Sequence, residues 1–230
     1  MSARRIGIIG GLSWHSTVSY YEDLHLLAQG KVNPWSQPKV IVDSVDFGLI
    51  APLLQKGDFD ATAEILIDSA KRLEAAGATV LAIASNTMHV NFDQVRESCS
   101  LPVVDVRASL VNEAKAKGLE TIAVLGTKYL LEENYYVEGL KNLGLNVVLP
   151  DKNQADTLQR IIFEELTVGM IKPQSRDALI EISNSLLDRG ADVIGLCCTE
   201  FGLLVSENET FPTIDSTKAH VRDLLRLTGN

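Results

Sequence analysis

Short apolar runs alternate along the chain with longer segments of helical periodicity. Apolar residues recur every three or four positions over 63–73 and over 179–187, which predicts two amphipathic helices. Each segment stops shortly before a glycine, Gly77 or Gly190, and this predicts left-handed C-terminal caps. β-Branched and aliphatic runs with the length of buried strands occupy 6–9, 40–42, 80–83, 103–104, 122–125, 147–149 and 193–196. The alternation predicts βαβ units built around parallel sheets.

The two halves of the chain resemble each other in sequence. When Gly77 is matched with Gly190, Ser85 lies opposite Cys198, and a small polar motif follows the strand in each half. The other matched segments are 73–80 with 185–193, 8–11 with 124–127, and 101–105 with 211–215. Because these matches occur in the same order, they predict two copies of one four-stranded unit.

The predicted fold class is α/β, with two pseudo-twofold-related α/β domains. Each domain is expected to hold a four-stranded, mainly parallel sheet flanked by helices. No Pro/Gly/Ser-rich linker marks the join, so we expect a tight crossover near 104–108. A return of the last helix to the first half would make the first domain 1–104 plus 216–230 and the second 105–215.

Composition narrows the class of partner. A hydrophobic content of 46% in 230 residues is enough for a substantial core. The net charge of −9 and the pI near 4.9 disfavour nucleic acid or an anionic membrane and favour a small molecule. No apolar run reaches the roughly 20 residues that span a bilayer, and residues 1–5 lead into a strand without a signal-peptide core. We therefore expect a cytoplasmic protein whose cysteines, Cys99, Cys197 and Cys198, remain thiols.

A polar motif follows the third strand of each predicted half, at 85–89 and at 197–200. Parallel sheets bind ligands at the carboxyl ends of their strands, so two such ends facing each other across a cleft would place Ser85 and Cys198 on opposite sides of a substrate. We expect a helix N-terminus beside Cys198 to favour the thiolate and to lower the pKa of this thiol below about 8.5. Cys197 should point to the opposite face of its strand, as a buried structural residue.

These motifs resemble the signatures of the aspartate/glutamate racemase family, Cys-Asn-Thr-x-His and Gly-x-Cys-Thr-Glu. This chain has Ser85-Asn86-Thr87-Met88-His89 and Gly195-Leu196-Cys197-Cys198-Thr199-Glu200, with one residue more after the glycine of the second motif. The glycine-rich start at 7–13 and the turn at 125–127 also resemble the family, and the similarity covers essentially the whole chain. The resemblance implies a homodimer and racemisation without pyridoxal phosphate or another cofactor. One thiolate would remove the α-proton, and the opposite thiol would protonate the other face.

The resemblance also implies a substrate site for a small acidic amino acid, aspartate or glutamate. The side chains implied to hold the α-carboxylate, together with backbone N–H groups, are those of Asn86, Thr87, Thr127 and Thr199. Gly11 and Ser13 are further substrate-binding candidates, because the spacing of their glycine-rich turn suits close approach to a small anion. A purely structural turn fits this sequence equally well.

Two residues of the motifs are candidates for supporting roles. His89 would either orient the site or cap a helix, and Glu200 would either buffer protonation around Cys198 or favour a helix N-terminus. The four histidines lie at positions 15, 25, 89 and 220. They show no paired spacing with cysteines or carboxylates that is typical of a zinc site, so no metal is predicted.

Ser85 stands where the family has its first cysteine. A serine hydroxyl titrates far above a thiol and does not act as a resting base without an activating partner. Three explanations stay open: an engineered substitution that traps a ligand, a natural variant that uses a hydroxyl, and a degenerate paralogue. Two alternative functions also stay open, a single-thiol decarboxylase of the same superfamily and a non-catalytic amino-acid-binding module. The loop at 42–47 carries no arginine, so the sequence does not identify a residue that binds the side-chain carboxylate of the substrate.

Overall fold

The computed structural model describes residues 4–29 and 35–229 as two compact units. One unit consists of the described residues up to Asp105 together with those from His220 onward, and the other is Val106–Ala219. The second boundary between the units falls inside the last helix, between Ala219 and His220. The sequence analysis placed it at the start of that helix, between 215 and 216. Within the described residues, no helix combines the length and the apolar character that crossing a membrane requires.

The first unit is a parallel sheet covered by helices. Its elements are β1 (Arg5–Gly10), α1 (Trp14–Ala28), β2 (Lys39–Ser44), α2 (Phe47–Lys56), α3 (Phe59–Ala75), β3 (Val80–Ile83), a 3-10 helix (Thr87–Asn91), α4 (Phe92–Ser98), β4 (Val103–Val104) and most of the last helix (Ser216–Thr228), which is α10 below. The strand order is β2-β1-β3-β4, and every pair is parallel.

The second unit repeats this plan. It contains α5 (Val106–Ala116), β5 (Thr121–Leu125), α6 (Lys128–Glu132), α7 (Asn134–Asn142), β6 (Asn146–Val148), α8 (Lys152–Arg160), a π-helix (Ile161–Glu165), 3-10 helices (Leu166–Val168 and Thr199–Leu203), α9 (Pro173–Asp188), β7 (Val193–Leu196) and β8 (Thr213–Asp215). The strand order is β6-β5-β7-β8, again with only parallel pairs. The predicted fold class, with two four-stranded parallel sheets flanked by helices, is confirmed.

Alternating side chains pack on both faces of each sheet. In the first unit, Ile6 and Ile8 pack with α1 and α10, whereas Ile9, Leu81 and Ile83 pack with α2, α3 and α4. All five side chains are fully buried, and burying a side chain of this size contributes roughly 1.5–3 kcal/mol. The strands therefore consist of continuous apolar runs, as sheets covered on both faces require.

The two glycines that aligned the halves end equivalent helices. Gly77 has a φ of 88° and Gly190 a φ of 96°, a region that favours glycine. The residue after each glycine donates its N–H back into the last turn of the helix, to Leu73 in α3 and to Leu186 in α9. This is the Schellman pattern, which satisfies carbonyls at the end of a helix. The predicted left-handed caps are confirmed.

Gly11 occupies a crowded turn between β1 and α1. Its φ is +75°, and a Cβ at this position would overlap the backbone oxygen of Val45 and lie 2.7 Å from the backbone nitrogen of the same residue. The Gly11 N–H donates to Oγ1 of Thr17 at 2.8 Å. The turn therefore needs glycine both for its backbone angle and for the approach of the chain after β2.

Replacing Gly11 with alanine should cost more stability than replacing a glycine that shares only its backbone angle. Gly118 is the matched control, because its φ is +69° and nothing lies within 4 Å of a Cβ placed there. We expect Gly118→Ala to lower the free energy of unfolding by roughly 1–2 kcal/mol and Gly11→Ala to lower it by roughly 1–3 kcal/mol more. Urea denaturation measures both. Equal losses of unfolding free energy would show that the close approach of Val45 adds no cost to the substitution of Gly11.

Candidate active site

Two predicted groups of site residues meet at one edge of the first sheet. β1 and β3 are parallel neighbours, with Ile9 opposite Ile83, so the loops after both strands emerge together. The N–H of Ala84 donates to the Ile9 carbonyl at 3.0 Å. Oγ of Ser16, in the first turn of α1, donates to the Ala84 carbonyl at 2.5 Å. The glycine-rich turn and the motif that begins at Ser85 are therefore held next to each other.

Ser85 begins a tight turn that His89 closes. Its Oγ accepts from the Met88 N–H at 3.3 Å, and its side chain is half-buried. Nδ1 of His89 lies 2.7 Å from the Ser85 carbonyl oxygen. Because a carbonyl only accepts, Nδ1 must carry the proton. His89 is 1% exposed, and its ring stacks on Phe92 with 5.8 Å between centroids.

The predicted substrate-binding residues of the first unit lie around this turn. Asn86 is buried and Thr87 is half-buried at the start of the 3-10 helix. Ser13 is the N-cap of α1, and its Oγ accepts from the Ser16 N–H at 3.5 Å. The Gly11 N–H also donates to Oγ1 of Thr17. Polar groups of the glycine-rich turn are thus bonded to the first turn of α1. These bonds support a structural role for Gly11 and Ser13, and contact of either residue with substrate stays a prediction.

The second unit brings Thr127 to the strand end that precedes Cys198. β5 and β7 pair with Leu125 opposite Leu196, and the Cys197 N–H donates to the Leu125 carbonyl at 2.8 Å. Thr127 is buried and is the N-cap of α6, where its Oγ1 accepts from a backbone N–H at 3.3 Å. Thr127 and Cys198 thus emerge from neighbouring strands at one edge.

Cys198 lies against the carboxylate of Glu200. The thiol Sγ donates to Oε2 of Glu200 at 3.1 Å, and Oγ1 of Thr199 donates to the same oxygen at 2.7 Å. Cys198 is 8% exposed and Glu200 is 6% exposed. The arrangement gives the thiol proton an acceptor within hydrogen-bond distance, which is the geometry of a nucleophile or base activated by a second base.

Cys198 is the N-cap of a helix, as expected, but that helix is a short 3-10 helix, and the expected direction of the pKa shift of Cys198 was wrong. The segment after Cys198 is a five-residue 3-10 helix, Thr199–Leu203, so the dipole of a long α-helix is missing there. Burial raises the pKa of the Cys198 thiol well above its ordinary value, and the charge of Glu200 raises it further. Cys198 is therefore a neutral thiol near neutral pH, and the Glu200 carboxylate is the group that accepts its hydrogen bond.

The other cysteines lie in structural surroundings. Cys197 packs in the apolar cluster on one face of the second sheet, and Cys198 in the cluster on the other face. Burial raises the pKa of Cys197 to about 12. Cys99 is half-buried at the end of α4, with its Sγ 3.7 Å from the Val95 carbonyl. The opposite orientations of Cys197 and Cys198 follow from strand alternation.

Four polar residues that support the motifs carried no recognisable sequence signal. Ser16 and Ser216 each donate a buried hydroxyl to a carbonyl just before a motif, that of Ala84 and that of Leu196 respectively. Tyr20 and His220 form a buried pair beside His89. Distance along the chain hides these contacts, since Tyr20 and His220 lie 200 positions apart. In the described part of the chain, no group of three or more His, Cys, Asp or Glu residues is placed to hold a metal ion.

Each α/β unit has a parallel sheet with a polar motif at its carboxyl edge. This arrangement is typical of an enzyme that acts on a small molecule. Residues 9–224 match the family model described as Asp/Glu/Hydantoin racemase, and the chain belongs to this family. The family predicted from the two motifs is confirmed.

Relatives with known descriptions cover nearly the whole chain. A broad specificity amino-acid racemase, RacX, of Bacillus subtilis (strain 168) is 25% identical over 216 residues, which are 92% of each chain. A Yersinia pestis crystal structure with the provisional description Asp/Glu racemase is 33% identical, with a TM-score of 0.90 over 99% of this chain and 100% of that one. An aspartate racemase homologue from Pyrococcus horikoshii OT3 is 31% identical, with a TM-score of 0.85 and the same coverage.

Removing the charge of Glu200 should make Cys198 more reactive at neutral pH. Because this charge raises the pKa of Cys198, Glu200→Gln should shift the pH profile of its alkylation downward. We expect alkylation at pH 7.5 to be at least about threefold faster, measured by mass spectrometry of iodoacetamide-treated protein.

Glu209→Gln is the matched control for this prediction. It removes the same charge from the same connection between β7 and β8, where Glu209 binds the Ser206 N–H and Arg176. Cys99 serves as the internal reference thiol. An unchanged or upward-shifted profile in Glu200→Gln would contradict the electrostatic coupling of Cys198 and Glu200.

Proposed function

We propose that this protein racemises small acidic amino acids, aspartate and glutamate, at the α-carbon and without pyridoxal phosphate. Cys198 and Ser85 act on opposite faces of that carbon. The observation that carries the proposal is the thiol–carboxylate pair of Cys198 and Glu200 at the carboxyl end of β7 in a chain of the racemase family. Aspartate and glutamate are named in the descriptions of the family and of its relatives, and the broad specificity of the Bacillus subtilis relative supports testing other amino acids as well.

On the Cys198 face, the reaction begins with the thiol proton. Glu200 accepts this proton, and the thiolate formed removes the α-proton of the enantiomer that presents it to Cys198. The negative charge then spreads into the α-carboxylate, so hydrogen-bond donors around that group stabilise the transition state. Candidates for this role are the polar side chains at the two strand ends, those of Asn86, Thr87, Thr127 and Thr199.

On the Ser85 face, a hydroxyl takes the place of a thiol. Inversion needs a proton to be delivered to the face opposite Cys198, and the Ser85 hydroxyl is the group at the motif position. A hydroxyl gives up and takes up a proton less readily than a thiol near neutral pH. The protein should therefore invert its substrate more slowly than a relative with two thiols.

The proposal includes a homodimer, which the family resemblance implies, and a cytoplasmic location, which the sequence pattern led us to expect. The net charge of −9 is compatible with a protein that acts on small molecules in solution. Analytical ultracentrifugation at micromolar concentration measures the assembly, and an active monomer would remove this part of the proposal without touching the chemistry.

Restoring the thiol at position 85 should restore fast racemisation. We expect Ser85→Cys to raise the rate of conversion of aspartate or glutamate at least about 100-fold, because a positioned acid–base group contributes about 10² to 10⁴ in rate. Ser85→Cys with Cys198→Ser should lose this gain. Chiral chromatography of both enantiomers of both amino acids measures the rates.

Ser19→Cys is the matched control for this variant. It adds a thiol at another half-buried serine of the same unit, on α1, where Oγ bonds the His15 carbonyl. Its rate should equal that of the unmodified protein. A folded Ser85→Cys protein that binds the amino acids without racemising them would identify a binding module. One that released carbon dioxide from a malonate instead would identify a decarboxylase.

A further inference from the structure

A fully buried histidine lies next to the Ser85 motif. His220, in α10, has no exposed surface. Its Nε2 lies 3.0 Å from the Val104 carbonyl oxygen, and its Nδ1 lies 2.8 Å from the Tyr20 hydroxyl. Because the carbonyl only accepts, Nε2 carries the proton and Nδ1 accepts from Tyr20. Both ring nitrogens are thus used, and the ring is held by α1, β4 and α10.

His220 holds this state across the physiological pH range. Burial, followed by the proximity of His89, lowers the pKa of His220 to about 3. The ring therefore stays neutral, and Nδ1 remains an acceptor for the Tyr20 hydroxyl.

The ring of His220 in turn contacts the ring of His89. The two centroids are 5.7 Å apart with an interplanar angle of 69°, an edge-to-face arrangement. The His89 ring also stacks on Phe92. His89 thereby contacts two rings while its Nδ1–H donates to the Ser85 carbonyl at 2.7 Å. A continuous set of contacts runs from the Tyr20 hydroxyl, through two histidine rings, to the backbone of residue 85.

We propose that Tyr20 and His220 are positioning residues for the Ser85 face of the reaction. They hold His89 in the orientation that fixes the Ser85 carbonyl, and so they fix the turn from which the Ser85 hydroxyl projects. The inference rests on the proposed function, since it assigns these residues a part in that reaction. It differs from a plain packing role, because loss of the Tyr20 hydroxyl should change chemistry at position 85 as well as stability.

The test uses the thiol introduced by Ser85→Cys as a reporter that needs no substrate. In the held turn, the Met88 N–H that now bonds Oγ of Ser85 would bond the thiolate and lower its pKa. Adding Tyr20→Phe should loosen the turn and move the midpoint of the alkylation pH profile toward the free-cysteine value of about 8.5. The profile of Cys198 in the same molecules should not move.

Catalysis provides the second measurement, in the same Ser85→Cys background. Tyr20→Phe should lower kcat for racemisation about tenfold and change KM less than about threefold, because misplacing a reacting group costs rate more than binding. His220→Gln, which keeps an N–H for the Val104 carbonyl, should lose less than His220→Ala. Tyr21→Phe is the matched control, because it removes a phenol hydroxyl from the next residue of α1, where the side chain is exposed. It should leave both readouts unchanged.

The outcomes separate this inference from the proposed function. A shifted alkylation profile in a Ser85→Cys protein that racemises nothing would support the positioning of residue 85 and contradict the proposed function. Racemisation by Ser85→Cys, with kcat and alkylation unaltered by Tyr20→Phe, would overturn the inference and leave the function standing. A loss of thermal stability alone would also overturn it, since packing would then explain the pair.

Discussion

The requirement that buried backbone carbonyls find hydrogen-bond partners determines how both motifs are held. A parallel strand that ends inside the protein leaves carbonyls beyond its last ladder bond, and an unpaired one costs roughly 1–3 kcal/mol. In each unit, a serine hydroxyl from the first turn of a helix satisfies such a carbonyl: Ser16 bonds Ala84, and Ser216 bonds Leu196. His89 does the same for Ser85 itself. Polar side chains at the motifs therefore satisfy backbone carbonyls as well as supplying candidate reactive groups.

The two motifs are equivalent in topology and different in chemistry. Both follow the third strand of their unit and both enter a 3-10 helix of five residues. In the second unit a thiol meets a carboxylate, so its proton has an acceptor. In the first unit a hydroxyl accepts a backbone N–H, and the nearby His89 is engaged with the backbone carbonyl through Nδ1. In the proposed reaction, Cys198 is therefore the acid–base group with a partner for its proton, and Ser85 is the group without one.

The sequence was sufficient for those parts of the fold that depend on local periodicity. Apolar runs located the strands, and Gly77 and Gly190 located two helix ends, because a left-handed cap is a local backbone property. The internal repeat predicted two copies of one four-stranded unit, and both sheets have four strands. The 3-10 form of the helix after Cys198 was not predicted, because the motif is too short to show helical periodicity.

The sequence did not predict the pKa shift of Cys198 or the contacts between residues that lie far apart along the chain. The raised pKa of Cys198 depends on how deeply the thiol is buried and on the direction in which Glu200 points, and neither is a property of the motif. The contact of His220 with the Val104 carbonyl joins residues 116 positions apart. A pattern of spacing can locate reactive residue types, whereas the groups that tune and hold them come from elsewhere in the fold.

If Cys198 is a competent base and Ser85 a weak one, the unmodified protein should exchange the α-hydrogens of the two substrate enantiomers at different rates. Each enantiomer of aspartate and glutamate is incubated with the protein in deuterated water. Proton NMR measures loss of the α-proton, and chiral derivatisation measures inversion. We expect one enantiomer to gain α-deuterium with its configuration kept, faster than it converts, while the mirror enantiomer exchanges slowly or not at all. Equal exchange and inversion for both enantiomers would contradict this expectation, because Ser85 would then be as effective a base as Cys198.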